Sequence, residues 1–474
     1  MSNEKYDFGM IGLGTMGRNL VYNICDHGFS VAGFDKDIKQ VETLAKEAGD
    51  KKLKGTKSLE EFVQSLKEPR TIIILVPAGG IVDSVISELK PLLANHDLIL
   101  DCGNSHYTDT NRRIEALMKE NISFMGVGVS GGESGARYGP SIMPGGDKEA
   151  YGRVSAMLEA VAAKVNNEPC VAWLGNGSSG HYVKMVHNGI EYALMQLIAE
   201  TYQLLKQGAG MSNKEIHEAF ASWNAGRLQS FLIEITSNIF TKKDELTDND
   251  LIDMILDTAH QKGTGAWTSK DAMTLGVPIP SIDAAVTMRN LSSRKTERVN
   301  AQQQLKGPSS ANVGSKTELL SAFEQALYFA MITTYAQGMA LLHQASKEYN
   351  YNLNLIDIAR IWKGGCIIRA SLLEDIRSAF ERQQDLPNLM VDEVISAQLN
   401  KAQSGLRKSI QTAVELGIPV PTLMTSLSYY DGYRSGWLPA NLLQAQRDYF
   451  GAHTYERNDG KGVFHTHWEQ EKNG

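Results

Sequence analysis

The sequence predicts an α/β domain built on a doubly wound parallel sheet, followed by a large all-α domain and an extended C-terminal tail. Three observations carry this. From Asp7 to about Trp173, short apolar runs alternate with segments of helical period, the pattern of strands joined by crossover helices. Near Gly175 the alternation stops, and long stretches with apolar residues at three- and four-residue intervals take over. Beyond Gly451 the helical stripe disappears in turn, leaving glycine, aromatics and histidine.

The expected strands are the runs at 8–11, 31–34, 71–76, 98–100, 124–129 and 171–173. The helical part is read from stretches such as 182–207 and 319–345. It contains an internal repeat, a feature that sets architecture. Leu204-Leu205-Lys206-Gln207 recurs as Leu341-Leu342-His343-Gln344, and Trp223-Asn224-Ala225-Gly226 as Trp362-Lys363-Gly364-Gly365, at offsets of 137 and 139 residues. Behind each tryptophan follow a serine and an apolar pair, Ser230-Phe231-Leu232 and Ser371-Leu372-Leu373. The expected organisation is therefore a sheet domain over 1–177 and a helical domain over 178–436, with duplicated halves near 178–315 and 316–436. A tail over 437–474 has to pack on something else, and a symmetric partner subunit is the natural candidate.

The chain has 474 residues, with 47 Lys+Arg against 54 Asp+Glu and a formal net charge of −7. This acidic balance argues against a general nucleic-acid binder, so an anionic ligand must meet a local cationic site. A content of 42% hydrophobic and 21% charged residues is that of a globular protein. Cys25, Cys102, Cys170 and Cys366 form no CxxC pair, which points to a reducing compartment rather than a disulfide framework. A glycine loop follows Met1–Tyr6 too soon to leave room for a signal segment, and no apolar run of about 18 residues occurs. A cytoplasmic protein without membrane association is expected.

Directly after the first expected strand comes Gly12-Leu13-Gly14-Thr15-Met16-Gly17, leading into a helical segment over 18–27. The first glycine permits a tight turn, the second lets the backbone approach a pyrophosphate, and the third lets helix pack closely on strand. Backbone N–H groups and the helix dipole then hold the negative charge. Such a loop is weak evidence alone. The strand before it, the helix after it and a second strand ending at Asp35 supply the context of a Rossmann-type dinucleotide site. At Asp35 a carboxylate would accept hydrogen bonds from the ribose hydroxyls of NAD and repel a 2′-phosphate. Lys36 could neutralise that phosphate, and a solvated turn of Asp35, Lys36 and Asp37 is the bland alternative. The carboxylate favours NAD.

Ser178 and Ser179 are N-cap candidates for a helix through His181–Tyr192. Lys184, His187, Asn188, Glu191 and Tyr192 stand at i, i+3, i+4, i+7 and i+8, so they share one face. A polar face is usually only solvated, but this one carries a potential base and a potential acid. Lysine is a base near neutrality only if burial or a cation lowers its pKa, and glutamate an acid only if burial raises it.

With that helix on view, the chain resembles the decarboxylating 6-phosphogluconate dehydrogenases of the long-chain homodimeric type. The specific strings are Gly128-Val129-Ser130-Gly131-Gly132-Glu133, Gly139-Pro140-Ser141-Ile142-Met143-Pro144-Gly145-Gly146, Lys184 through Tyr192, Lys262-Gly263-Thr264-Gly265 and Gln446-Arg447-Asp448-Tyr449-Phe450-Gly451-Ala452-His453. The resemblance spans essentially the whole chain. It implies a 6-phosphogluconate site containing Asn104, Ser130, Gly131, Gly132, His187, Asn188, Tyr192, Lys262, Thr264 and Arg289, with Arg447 and His453 entering from the neighbouring subunit of a homodimer. It also implies a cofactor site of the glycine loop, Asp35, Lys36, Asp37, Val76, Pro77, Ala78 and Asn104.

The implied reaction is oxidative decarboxylation to ribulose 5-phosphate and CO2 in the pentose phosphate pathway. Lys184 would serve as general base and then acid, Glu191 would protonate C1 of the enediol, and no metal would be needed. Asp248, Asp250, Asp253 and Asp257 are then read as a solvated acidic helix face. The family default is NADP, yet this chain has Asp35-Lys36-Asp37 where Asn-Arg-Thr or Asn-Arg-Ser is typical, and Pro77-Ala78 where Lys-Ala is common. Ala266 replaces a common lysine, and Ser178 a familiar glycine.

Rival readings fit less of the chain. A short-chain β-hydroxyacid dehydrogenase would not explain the duplicated helices. In a nucleotide-sugar dehydrogenase Cys366 would be the nucleophile, but the continuation Ile367-Ile368-Arg369 favours a packed cysteine. A non-catalytic dinucleotide sensor would be expected to have lost Lys184 or Glu191.

Overall fold

The computed structural model describes residues 5–261, 263–308 and 314–468. Its main sheet consists of β1 (Phe8–Ile11), β2 (Val31–Phe34), β3 (Leu53–Gly55), β4 (Thr71–Ile74), β5 (Leu98–Asp101), β6 (Ser123–Ser130) and β7 (Ser141–Gly145), in the order β3-β2-β1-β4-β5-β6-β7. The pairs from β3 through β6 are parallel, and β7 closes the edge antiparallel to β6, with Gly126 opposite Gly145 and Ser130 opposite Ser141. β1, β4 and β5 are buried along their whole length, as befits strands covered on both faces. Chain direction reverses its lateral progress between β1 and β4, and the loops leaving those two strands part there to open a crevice.

Two expectations need correction. The run at 171–173 is no strand but a single bridge, Val171 to Ile142, and the edge is formed by β7 instead. β7 escaped notice because Ser141-Ile142-Met143-Pro144-Gly145 looks like turn chemistry. Its proline is tolerated because the strand lies at the sheet edge. β3 was also unforeseen, since Leu53-Lys54-Gly55 has no apolar run and is only half-buried.

Beyond the sheet the chain is helical. The Ser179–Gln203 helix, prolonged by a π turn at Leu204–Gly208, lies against β6 and β7. The approach is so close that a Cβ at Gly180 would strike the carbonyl oxygens of Gly126 and Met143. Ser178 occupies the N-cap position, but its hydroxyl bonds Tyr351 Oη at 2.8 Å rather than capping the helix, and Ser179 is already helical. The Lys316–Glu348 helix runs 33 residues through the core.

Trp223 lies in the last turn of the Asn213–Asn224 helix and Trp362 just past the end of the Leu355–Ile361 helix, and each precedes another helix, Phe231–Ile239 and Leu372–Arg382. Between them Phe231 N donates to Arg369 O at 3.0 Å and Ser371 N to Gln229 O at 2.9 Å, a reciprocal antiparallel bridge. No helix among the described residues is long and apolar enough to cross a membrane.

The chain forms two compact units, Met1–Ser426 and Leu427–Gly474. The second unit is not wholly extended. It contains the Ala440–Gly451 helix and a hairpin of Tyr455–Glu456 with Val463–Phe464. Asp448 is its hub, accepting from Thr454 N at 2.9 Å, His465 Nδ1 at 2.8 Å, Thr466 N at 3.1 Å and Trp468 Nε1 at 2.8 Å.

Candidate active site

The crevice at the strand-order reversal is a continuous cleft within the first unit. Its outer lobe, about 660 Å³, is lined by Gly12, Gly14, Asp35, Lys36, Asp37 and Glu88 among others. Its inner lobe, about 970 Å³, is lined by Thr15, Met16, Pro77, Ala78, Asn104, Ser130, Gly131, Gly132, Lys184, Asn188, Glu191, Tyr192 and Thr264 among others. Gly14, Val76 and Pro77 line both lobes. The glycines behave as the dinucleotide motif requires. A Cβ at Gly12 or Gly17 would collide with the Leu75 or Gly12 carbonyl, whereas at Gly14 it would project into open space where a pyrophosphate fits. The helix behind the loop starts at Thr15, three residues earlier than expected, which brings its positive end to the cleft.

Asp35 closes β2. Its carboxylate accepts from Leu13 N at 2.7 Å and Asp37 N at 2.9 Å, so it braces the glycine loop from the ribose end. Lys36 pairs with Glu88 at 2.7 Å. Asp37 caps the Ile38–Lys46 helix.

At the inner end Lys184 is buried on the Ser179–Gln203 helix, and its side-chain nitrogen has no hydrogen-bond partner among the described residues. Burial pushes its pKa below the ordinary lysine range, with the negative charge of Glu191 partly opposing. Glu191 is displaced the other way. Burial raises its pKa, and the charges of Lys184 and Arg289 oppose. His187 is driven well below the usual histidine range by burial and then by Lys184, so the ring is neutral. Nδ1 donates to Asn188 Oδ1 at 3.1 Å and Nε2 accepts from Ser130 Oγ at 3.3 Å, which ties the helix to the end of β6.

Tyr192 is clamped on one face by the Arg289 guanidinium, 3.6 Å from the ring centroid, and on another side by Gly265, where a Cβ would press on the ring. Arg289 is held by His260 O at 3.1 Å. Thr264 begins the Thr264–Thr274 helix after Gly263, whose φ of +97° needs glycine. Tyr192 thus brings the Arg289 guanidinium and the positive end of that helix together.

Lys262 lies outside the described residues. Arg447 and His453 belong to the second unit, Arg447 bonding Gln444 at 3.1 Å and His453 lying edge-on to Phe450.

Asp248, Asp253 and Asp257 are exposed and Asp250 partly so, as expected of solvated aspartates, but they lie in and around a four-residue helix, Leu251–Met254, rather than sharing a helix face. Asp250 pairs with Lys243 at 2.6 Å, Asp253 with Lys206, and Asp257 with Lys295 at 2.6 Å and Arg298 at 3.0 Å, around a single helical turn. Cys366 is fully buried with its thiol pushed up to about 12 by burial, which is a packing cysteine.

The sequence reading missed His106 and Trp267, which pack edge-to-face at 4.9 Å in the wall of the inner lobe. Trp267 stands three residues from Thr264, a spacing that was readable; nothing marked His106. Also missed was Asp271, a buried carboxylate bonded by Tyr107, Tyr182 and Tyr349, which ties the Ser179–Gln203 helix to three other segments.

A phosphate-binding glycine loop feeding a cleft with a buried lysine and a buried glutamate on one helix defines a Rossmann-type, nicotinamide-dinucleotide-dependent oxidoreductase. The family model for the NAD binding domain of 6-phosphogluconate dehydrogenase matches residues 7–175, and that for the C-terminal domain of 6-phosphogluconate dehydrogenase matches 180–468. A Bacillus subtilis protein named 6-phosphogluconate dehydrogenase, NADP(+)-dependent, decarboxylating, is 52% identical, over 98% of this chain and 99% of its own. A Staphylococcus aureus 6-phosphogluconate dehydrogenase, decarboxylating, is 49% identical over the same shares. The solved Plasmodium falciparum 6-phosphogluconate dehydrogenase, studied in its apo form and with NADP+ or 6-phosphogluconate, superposes with a TM-score of 0.95 at 44% identity, covering 98% of this chain and 100% of the other. The chain belongs to the decarboxylating 6-phosphogluconate dehydrogenase family.

Proposed function

We infer that the protein oxidatively decarboxylates 6-phospho-D-gluconate to D-ribulose 5-phosphate and CO2 in the cytoplasm, with reduction of a nicotinamide dinucleotide, as a step of the pentose phosphate pathway. The observation that carries this is the pair Lys184 and Glu191, on one helix face in one cleft, with pKa values displaced toward each other. A bound dinucleotide would supply the hydride acceptor, and Gly12–Gly17, Asp35, Val76, Pro77, Ala78 and Asn104 would hold it.

Lys184, neutral at the start, takes the proton of the C3 hydroxyl as C3 is oxidised. The resulting ammonium donates to the C3 oxygen while the C1–C2 bond breaks and the C1 carboxylate leaves as CO2, stabilising the charge that develops on that oxygen without a metal ion. Glu191, whose protonated form burial favours, then delivers its proton to C1 of the enediol, the former C2 of the substrate. His187, Asn188 and Ser130 hold the sugar hydroxyls, and Gly131 and Gly132 let the backbone close on them. Lys262, Thr264, Arg289 and Tyr192 take the phosphate, completed by Arg447 and His453 of a second subunit.

Exchange of the 437–474 tail in a homodimer is supported by Leu442, Leu443, Tyr449 and Phe450, large apolar residues left exposed on the Ala440–Gly451 helix. The helical part reads as two duplicated halves, 178–315 and 316–436, supported by the reciprocal bridge between 229–231 and 369–371.

NADP is the cofactor named for the relatives, whereas Asp35 favours NAD here. Incubation with 6-phosphogluconate and either dinucleotide, following reduced nicotinamide and CO2 release together, tests the reaction. Reduction without CO2, or neither, would refute it.

A further inference from the structure

The outer lobe carries charge in an arrangement the reaction alone does not require. Four charged side chains line it among the described residues: Asp35, Lys36, Asp37 and Glu88. Three are carboxylates, and the lone lysine is bound to one of them, Lys36 Nζ to Glu88 Oε1 at 2.7 Å. Glu88 is steadied by Ser84 Oγ at 3.1 Å, and Lys36 holds its carboxyl below the usual glutamate range. Asp35 is occupied by two backbone N–H groups and Asp37 by a helix cap. Arg18, which bonds the lobe-lining Gln40 at 3.1 Å, is turned toward Glu47 at 3.3 Å. A ribose with free hydroxyls meets acceptors here. A ribose bearing a 2′-phosphate brings a dianion to a lobe whose only lining cation is already neutralised.

We propose that Glu88 is a specificity-determining residue: by sequestering Lys36 it withholds the cation that a 2′-phosphate would need, and so biases the lobe toward the unphosphorylated dinucleotide. This rests on the reading that the adenosine end of the cofactor occupies the outer lobe. Asp35 acts at the same place by repulsion, but Glu88 acts through Lys36, and the two contributions separate experimentally. Lys36 and Glu88 are both exposed, so the pair can open without disturbing the core.

The test is calorimetric titration of the full-length enzyme with two adenosine fragments that differ only in the 2′-phosphate, 2′,5′-ADP and 5′-AMP. The wild type is compared with Glu88→Gln, Lys36→Gln, the double variant and Asp35→Asn. Glu88→Gln should improve the ratio of 2′,5′-ADP to 5′-AMP affinity about fivefold, the scale of one exposed charge pair. The gain should vanish in the double variant and shrink in high salt. The ratio of kcat/KM with NADP to that with NAD should move in the same direction.

If Glu88→Gln leaves both ratios unchanged while Asp35→Asn shifts them, the role of Glu88 is refuted and the cofactor placement stands. If the gain survives removal of Lys36, sequestration is refuted. If neither Glu88→Gln nor Asp35→Asn changes the affinity for either fragment, the placement of the cofactor in this lobe fails, and the proposal with it.

Discussion

Lys184 and Glu191 are ordinary residues in an environment that makes them unusual. Burial disfavours the charged form of each, which lowers the lysine and raises the glutamate. Their mutual attraction opposes both shifts without cancelling them. Replacing Lys184 by Met should cut kcat about a thousandfold while the fold persists in circular dichroism. Near-normal turnover would remove Lys184 from the mechanism. In Glu191→Gln, solvent deuterium incorporation at C1 of the product should fall far below the wild-type rate, and normal incorporation would count against its acid role.

The direction of the two shifts also sets the pH profile. Under the proposed mechanism activity needs neutral Lys184 and protonated Glu191, so the rate should rise as Lys184 loses its proton and fall as Glu191 loses its own. Both limbs lie closer to neutrality than free lysine and glutamate would place them. Arg289 makes a different point. Its planar group stacks at 3.6 Å on Tyr192, a geometry an ammonium cannot reproduce, so Arg289→Lys should raise KM for 6-phosphogluconate about tenfold despite keeping the charge.

At the scale of elements, the helix bearing Lys184 and Glu191 is placed by small residues and by a buried carboxylate. Gly180 meets β6 and β7, and Gly189 meets Thr268, whose hydroxyl bonds Met185 O at 2.9 Å. Further along, buried Glu200 accepts from Thr422 N and Leu423 N, both at 2.9 Å, at the start of the Pro421–Tyr433 helix. Burial, outweighing these bonds, raises its pKa from 4.5 to about 7. The folded state thus binds this proton more tightly than the unfolded state, and stability falls as pH rises from about 4.5 to 7. The loss is on the order of 3 kcal/mol. Melting temperatures of wild type and Glu200→Gln across this range should show a weaker decline in the variant; parallel curves would contradict the assignment.

For the molecule as a whole, an acidic protein handling an anionic substrate depends on bringing a few cations together from distant positions. Under tail exchange, each complete site draws Lys184 from one subunit and Arg447 from the other. Mixing Lys184→Met and Arg447→Ala proteins through a dissociation and reassociation cycle should then restore about a quarter of wild-type activity. Half the random dimers would be mixed, each with one intact site of two. No recovery would mean that each chain completes its own site.

Much of this was legible in the sequence because the signals are local. β1 and β2 follow from runs of four, the phosphate loop from glycine spacing, and the face shared by Lys184 and Glu191 from helical spacing, since the residues of each signal lie close together in the chain. What failed was non-local. β7 was hidden because only its pairing with β6 makes a proline-bearing segment a strand. β3 was hidden because its hydrogen bonds to β2 substitute for an apolar pattern. In the site, Thr264 and Arg289 had no local signal and came only through resemblance. The amino-acid order by itself determined the Rossmann-type start, the helical continuation and the lysine and glutamate that share a face. Only the tertiary structure decided that these two are buried with displaced pKa values, that Arg289 stacks on Tyr192 and that Lys36 is held by Glu88. Burial and long-range charge pairing depend on which distant segments meet, and no short stretch of sequence contains that information.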